Sequence, residues 1–240
     1  MSLAGTNSYV LHAPGNPGAV VVDPGPFDEA HLEALAAASP VDLILITHRH
    51  ADHTAGSARL HGLTGAPVRA ADAVHCHGSG TPLQDGEVLS AAGVDIRVVA
   101  TPGHTSDSVC FHLPGDGAHG SVLTGDTILG RGTTMLDYPD GTLADYLASL
   151  DRLEAIGPAT VLPAHGPVLP SLVEIARAYR SHRLERLEQV RAALDTLGRD
   201  ATARDVAGAV YSDVDPSVRR AAETSVAAQL HYLRGTAAQT

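Results

Sequence analysis

Val41-Asp42-Leu43-Ile44-Leu45-Ile46-Thr47 runs directly into His48-Arg49-His50-Ala51-Asp52-His53, and the reading of this junction decides the fold. Apart from Asp42 and Thr47 the first seven residues are apolar, three of them β-branched, with Pro40 on one side and polar residues on the other. A run this short and this apolar reads as a buried strand rather than a helix. The hexapeptide is therefore delivered where the chain leaves a sheet, the place at which open α/β folds build their sites. Three histidines and an aspartate within six residues point to a metal. Neutral imidazole nitrogens suit zinc and its neighbours, and a carboxylate suits harder or shared coordination. His48 and His50, two apart at a strand end, project the same way and can grip one ion. Asp52 and His53 follow and can face a second.

Working outward, the 240 residues suffice for one large domain, or one domain with a small appendage. No stretch approaches the roughly 20 apolar residues of a membrane span. The N-terminus carries no charged-then-apolar leader, so a cytoplasmic protein is expected. Two cysteines, Cys76 and Cys110, are too few for a disulfide framework. Cys76 lies in His75-Cys76-His77, read as a loop rather than a metal site because it cannot complete a tetrahedral shell unaided. Net charge is −11 and every basic residue is arginine; residues 1–171 carry 6 Arg against 18 Asp and Glu. That balance argues against broad electrostatic capture of nucleic acid.

Strands are predicted over residues 5–11, 19–23, 41–47, 67–70, 87–90, 94–100, 109–113, 121–124 and 160–163. Asn16-Pro17-Gly18 turns the first into the second. Residues 28–38 and 54–61 read as helices, the latter ended by Gly62 and Gly65. Residues 142–156 carry Leu143, Tyr146, Leu147 and Leu150 at i, i+3, i+4 spacing and read as an amphipathic helix.

Three further strand ends offer ligands. Thr101-Pro102-Gly103-His104 places His104 after one strand, Gly125-Asp126 follows another, and Ala164-His165-Gly166 follows the last. Each alone is an ordinary cap or turn residue. Together with the hexapeptide they make five histidines and two aspartates, a set that matches two ions about 3.5–4 Å apart sharing one carboxylate.

His-x-His-x-Asp-His, Pro-Gly-His-Thr, Gly-Asp and a final His-Gly, in that order across residues 5–170, resemble the metallo-β-lactamase-fold hydrolases. The resemblance implies an α/β (α+β) fold, a four-layer αββα sandwich over residues 1–170 with the site at one edge of two sheets. It assigns His48, His50 and His104 to one zinc, Asp52, His53 and His165 to the other, and Asp126 to the bridge. Thr124-Gly-Asp-Thr-Ile-Leu-Gly-Arg-Gly-Thr-Thr, Tyr146-Leu-Ala-Ser-Leu and Tyr179-Arg-Ser-His-Arg are similar to the β-lactamase-like protein 2 (LACTB2-like) branch. That branch stands close to thioester hydrolases of glyoxalase II type. The implied cofactors are two divalent ions, Zn2+ before Mn2+ or Fe2+. The implied chemistry is hydrolysis by a metal-bridging hydroxide, with Asp52 as the proton shuttle.

Residues 171–240 change character. A long helix is predicted over 172–197, then helices over 202–211 and 216–233 capped by Thr202 and Asp215. This all-helical region resembles the branch's winged-helix-like appendage. A DNA reader is disfavoured because the last 43 residues balance 5 Arg against 5 acids. Arg131, Thr133, Thr134 and Tyr138 are candidates to line the cleft, and His182 and Arg183 to reach over its mouth. The expected partner is a small ester, thioester or lactam-type substrate, with no membrane. A single-strand-specific endoribonuclease of the LACTB2 type is the alternative. An iron-dependent persulfide dioxygenase is a further one, on a fold whose diiron electron carriers replace the residue at His50 by Glu.

Overall fold

The computed structural model describes residues 5–212, 215 and 219–237. Among the described residues nine strands form two sheets. The first orders β1 (Tyr9–Leu11), β2 (Ala19–Val22), β3 (Val41–Leu45) and β4 (Val68–Arg69), with β2, β3 and β4 parallel. The second orders β5 (Val88–Ala91), β6 (Val94–Ala100), β7 (Val109–Leu113), β8 (Ser121–Gly125) and β9 (Thr160–Pro163). It is antiparallel except for the parallel β8–β9 pair.

The alternation of side chains along each strand builds the layers. Val20, Val22, Leu43 and Leu45 meet Ile96, Val98, Phe111 and Leu123 between the sheets. Their neighbours Val21, Ile44 and Ile46 turn outward against Leu32 and Leu35 of α1 (Glu29–Ala38) and Leu60 of α3 (Ser57–Thr64). On the far side, Val99, Cys110, Val122 and Val161 pack under α4 (Leu143–Ile156) and the first half of α5 (Leu172–Leu197). The result is the four-layer αββα sandwich with helices appended. Both faces of β2 and β3 are covered, which is why those strands read as unbroken apolar runs.

The second half of α5 packs with α6 (Ala203–Val210) and α7 (Arg219–Ala237) around Val190, Ala193, Val206, Val226 and Leu230. The division expected at residues 170 and 171 falls at the start of α5, and that one helix contributes to both cores. Thr202 caps α6 through a reciprocal pair with Asp205. The start expected for the last helix, residues 216–218, lies outside the described residues. Among the described residues no strand follows β9, and no helix is long and apolar enough to cross a membrane.

Two segments differ from expectation. The second half of the hexapeptide already forms a single helical turn, α2 (Ala51–Thr54), and the helix expected over 54–61 begins only at Ser57 as α3. Gly62 sits inside α3 with open space around it; Gly65, at φ 75°, ends the helix. Of the N-terminal segment only Tyr9–Leu11 is strand. Asn7 is spent instead on β9 and its exit, donating from its amide side chain to Pro163 O (3.0 Å) and Gly166 O (2.9 Å).

Candidate metal centre

The C-terminal ends of β2, β3, β8 and β9 open on one edge of the sandwich, beside the turn that leaves β6. Two glycines let these ends approach. Gly103 has φ 137°, and a Cβ there would lie 2.4 Å from the Tyr146 Cα, so only glycine lets the turn carrying His104 seat against α4. Gly125 has φ 50°, and its Cβ would lie 2.7 Å from Thr47 Oγ1.

The structure brings all seven expected ligands together in two groups. His48, His50, His104 and Asp126 present atoms within 4.8 Å of one another, and so do Asp52, His53 and His165. Asp126 stands between them. Its Oδ1 lies 3.2 Å from His165 Nε2 and 3.6 Å from His53 Nε2, and its Oδ2 lies 3.7 Å from His104 Nε2. His165 Nε2 is also 3.4 Å from Asp52 Oδ2.

The outward nitrogens are already committed. His53 Nδ1 donates to Asp23 Oδ2 (2.8 Å), His104 Nδ1 to Met135 O (2.6 Å) and His165 Nδ1 to Gly5 O (2.8 Å). Thr47 Oγ1 donates to Asp23 Oδ2 (2.7 Å), so it accepts from His48 Nδ1 (3.1 Å). With their protons held on Nδ1, these four rings turn a lone pair on Nε2 inward. His53 Nε2, His165 Nε2 and Asp126 Oδ1 are buried without a hydrogen-bond partner. Buried polar atoms are rarely left so. Three acceptor atoms facing one another across a buried space call for a cation, and this nitrogen and oxygen set suits a divalent metal.

The electrostatics divide the two groups. Burial, reinforced by the neighbouring imidazoles, pushes His48 well below its ordinary value. Burial also lowers His104. Burial pulls His53 and His165 down too, but carboxylates outweigh it: Asp23 leads for His53, which is raised, and Asp126 for His165, which reaches about 8. Burial would raise Asp126, yet His165 and the other surrounding rings hold it below the usual carboxylate range. Near neutral pH the metal-free protein therefore keeps a proton on His165 that an incoming ion must displace. Titrating the metal-free protein with ZnCl2 in weakly buffered solution near pH 7 should release roughly one to two protons from this side. Release should shrink when the titration is repeated about one unit above His165's value, and pH-stat recording would measure both.

The other expectations fall out differently. Arg131 and Thr133 are exposed on the segment after Asp126. Thr134 is buried, with Oγ1 3.3 Å from His104 Nδ1. Tyr138 is half-buried, its ring 5.6 Å from that of His231. His182 is half-buried on α5. Arg183 does not reach over the mouth: it is buried, lies 5.1 Å over the Tyr146 ring and donates to Thr134 O. Cys76 Sγ faces the carbonyls of Ala70 and Asp72, and no group placed for a metal includes it among the described residues. Sequence reading passed over Asp23, which accepts from Thr47 N (2.8 Å) as well as from Thr47 Oγ1 and His53. Its signal was a carboxylate closing an otherwise fully apolar strand, Ala19-Val20-Val21-Val22-Asp23. It also passed over Asp137, which meets Arg49 and His50.

Comparison with known proteins agrees with this architecture. A sequence profile of the Metallo-beta-lactamase superfamily matches residues 2–165. The atrochrysone carboxyl ACP thioesterase of Aspergillus fumigatus is 32% identical over 219 residues, 87% of this chain. The alignment spans 66% of that relative's length, just under two thirds. The Beta-lactamase-like protein 2 homolog of Caenorhabditis elegans is 30% identical over 243 residues, covering 94% of this chain and 77% of its own length. A solved metallo-beta-lactamase family protein from Thermus thermophilus superposes with a TM-score of 0.78 at 25% identity, covering 97% of this chain and 89% of that one.

Proposed function

Because the chain belongs to the metallo-beta-lactamase superfamily and is a metal-dependent hydrolase, we propose that it uses two divalent ions, Zn2+ foremost, to cleave a small ester or thioester. The observation that carries this reading is Asp126. It turns one oxygen toward His53 and His165 and the other toward His104, so a carboxylate there can serve both ions. His48, His50 and His104 would hold one ion, Asp52, His53 and His165 the other. Two such ions, when bound, supply an activated water near neutral pH and polarise the bond to be cleaved.

The chain's own residues do the rest. Asp126 is held ionised by its partners, so it keeps both oxygens available as acceptors. Asp52 keeps its side chain 22% exposed while the rings of His53 and His165 beside it are almost fully buried. It is the carboxylate with access both to the site and to solvent, the position a proton shuttle needs. The four fixed Nδ1 donors orient the imidazoles before any substrate arrives.

The deficit of cations over residues 1–171, which carry the site, favours a small carbonyl substrate over a polyanion. The similarity to a thioesterase over 87% of the chain supports the same choice. The similarity to the Beta-lactamase-like protein 2 homolog covers 94% of the chain, and the resemblance to that branch implies a second reading, cleavage of single-stranded RNA. Parallel assays of the zinc-loaded protein on an acyl thioester, a nitrocefin-type lactam and single-stranded RNA separate them. Thioester or ester turnover is the expected result. RNA cleavage without either would replace this reading by the second.

A further inference from the structure

His50 differs from the other histidines of the centre. Its ring meets the first group through Nδ1, which lies 3.1 Å from both His48 Nε2 and His104 Nε2. Its backbone-side nitrogen therefore faces the site, and its Nε2 faces outward. That outward nitrogen lies 3.3 Å from Asp137 Oδ2. The same Asp137 oxygen accepts from Arg49 at 2.6 Å, and Arg49 reaches on to Asp140, also at 2.6 Å.

A neutral imidazole carries one proton, and two placements compete here. A proton on Nδ1 would sit between His48 Nε2 and His104 Nε2, two lone pairs well placed to accept it. That tautomer is self-satisfied and fills the place of an ion. A proton on Nε2 leaves Nδ1 as a third lone pair and opens the site. Resting on the two-ion reading above, we propose that Asp137 is the positioning residue that decides between them. Its carboxylate accepts the Nε2 proton of His50, and Arg49 fixes the carboxylate's aim.

The segment bearing Asp137 is held for this task. Asp137 N donates to His104 O (2.8 Å), and Gly141 N donates to Asp137 O (3.0 Å). Two residues earlier, Met135 O accepts from His104 Nδ1. Thr134 O accepts from the buried Arg183, so α5 braces the segment from behind. One stretch, 134–137, thus sets the proton placement of two histidines of the same group. Arg49, inside the hexapeptide, ties that stretch back to the first ligands.

The test uses Co2+ as the probe, added to metal-free wild type, Asp137→Ala, Asp137→Asn and Asp140→Asn. Absorption spectra and dialysis give the number of ions, their affinities and their coordination. The wild type is expected to bind two. Asp137→Ala should weaken one ion by about 10–100-fold, with an altered cobalt spectrum, and leave the other unchanged. Asp137→Asn keeps an acceptor oxygen and should fall between the two. Asp140→Asn disturbs the same arginine without touching a histidine and should keep both affinities within about threefold. Two ions in the wild type with an indistinguishable Asp137→Ala overturn the role of Asp137 alone. Equal losses in Asp137→Ala and Asp140→Asn also overturn it, since a general loosening of the loop would then account for both. Fewer than two ions in the wild type overturn the reading beneath it, and this role with it.

Discussion

Replacing Asp126 with alanine is expected to lower turnover by about three orders of magnitude or more. That figure follows from the several kcal/mol of charge stabilisation that a metal contributes, at about 1.4 kcal/mol per tenfold. The variant removes the group that faces both clusters, so metal content should fall together with activity. Folding should survive. What the metal-free protein loses is the contact of Asp126 with the protonated His165 ring, one interaction at the site edge and not part of the apolar core. Elemental analysis and thermal unfolding on the same preparation would separate a lost ion from a lost fold. A variant that kept two ions and full activity would remove Asp126 from the centre.

The largest effect on stability is expected at Asp23. Alanine there strips the acceptor from Thr47 N, Thr47 Oγ1 and His53 Nδ1 at once. Removing one partner of a buried, hydrogen-bonded ionic group costs about 3–5 kcal/mol. In a chain this size that is a fall in Tm of about 10 °C. Asp23 also holds φ 50°, which alanine tolerates less readily than aspartate or asparagine. Asp23→Asn keeps the backbone preference and one acceptor and should lose roughly half as much. Both variants free the His53 ring, so the ion on that side should bind about 10–100-fold more weakly. Unfolding curves recorded with and without added metal would distinguish the two contributions. An Asp23→Ala protein with wild-type Tm and wild-type metal affinity would contradict this account.

The layers of the fold were legible because both sheets carry strong local signals. Val94–Ala100, Val109–Leu113, Thr160–Pro163 and Leu172–Leu197 fall where period and turn chemistry put them. The seven candidate ligands were legible for two reasons: four crowd into one hexapeptide after an apolar strand, and His104, Asp126 and His165 each stand beside a glycine at a strand exit. What escaped was held by contacts far along the chain. Asp23 lies 30 residues from His53, and Asp137 lies 87 from His50. Asp23 stands out only as a carboxylate closing an apolar strand, which does not say what it binds, and Asp137 carries no local pattern at all. Arg183 shows the same blindness in reverse. A charged residue on a long helix reads as a surface group, but its guanidinium is buried over Tyr146 and bonded to Thr134. Gly62 misled for a related reason: a glycine tolerated inside α3 looks the same in sequence as Gly65, which ends it.

Everything rests on two ions sharing one carboxylate, and anomalous diffraction from crystals grown with zinc addresses that directly. The expected map shows two peaks about 3.5–4 Å apart with Asp126 between them. One should lie about 2.0–2.2 Å from the nitrogens of His48, His50 and His104, the other the same distance from Asp52, His53 and His165. A single peak, or two peaks that leave Asp126 outside ligand distance of either, would contradict it.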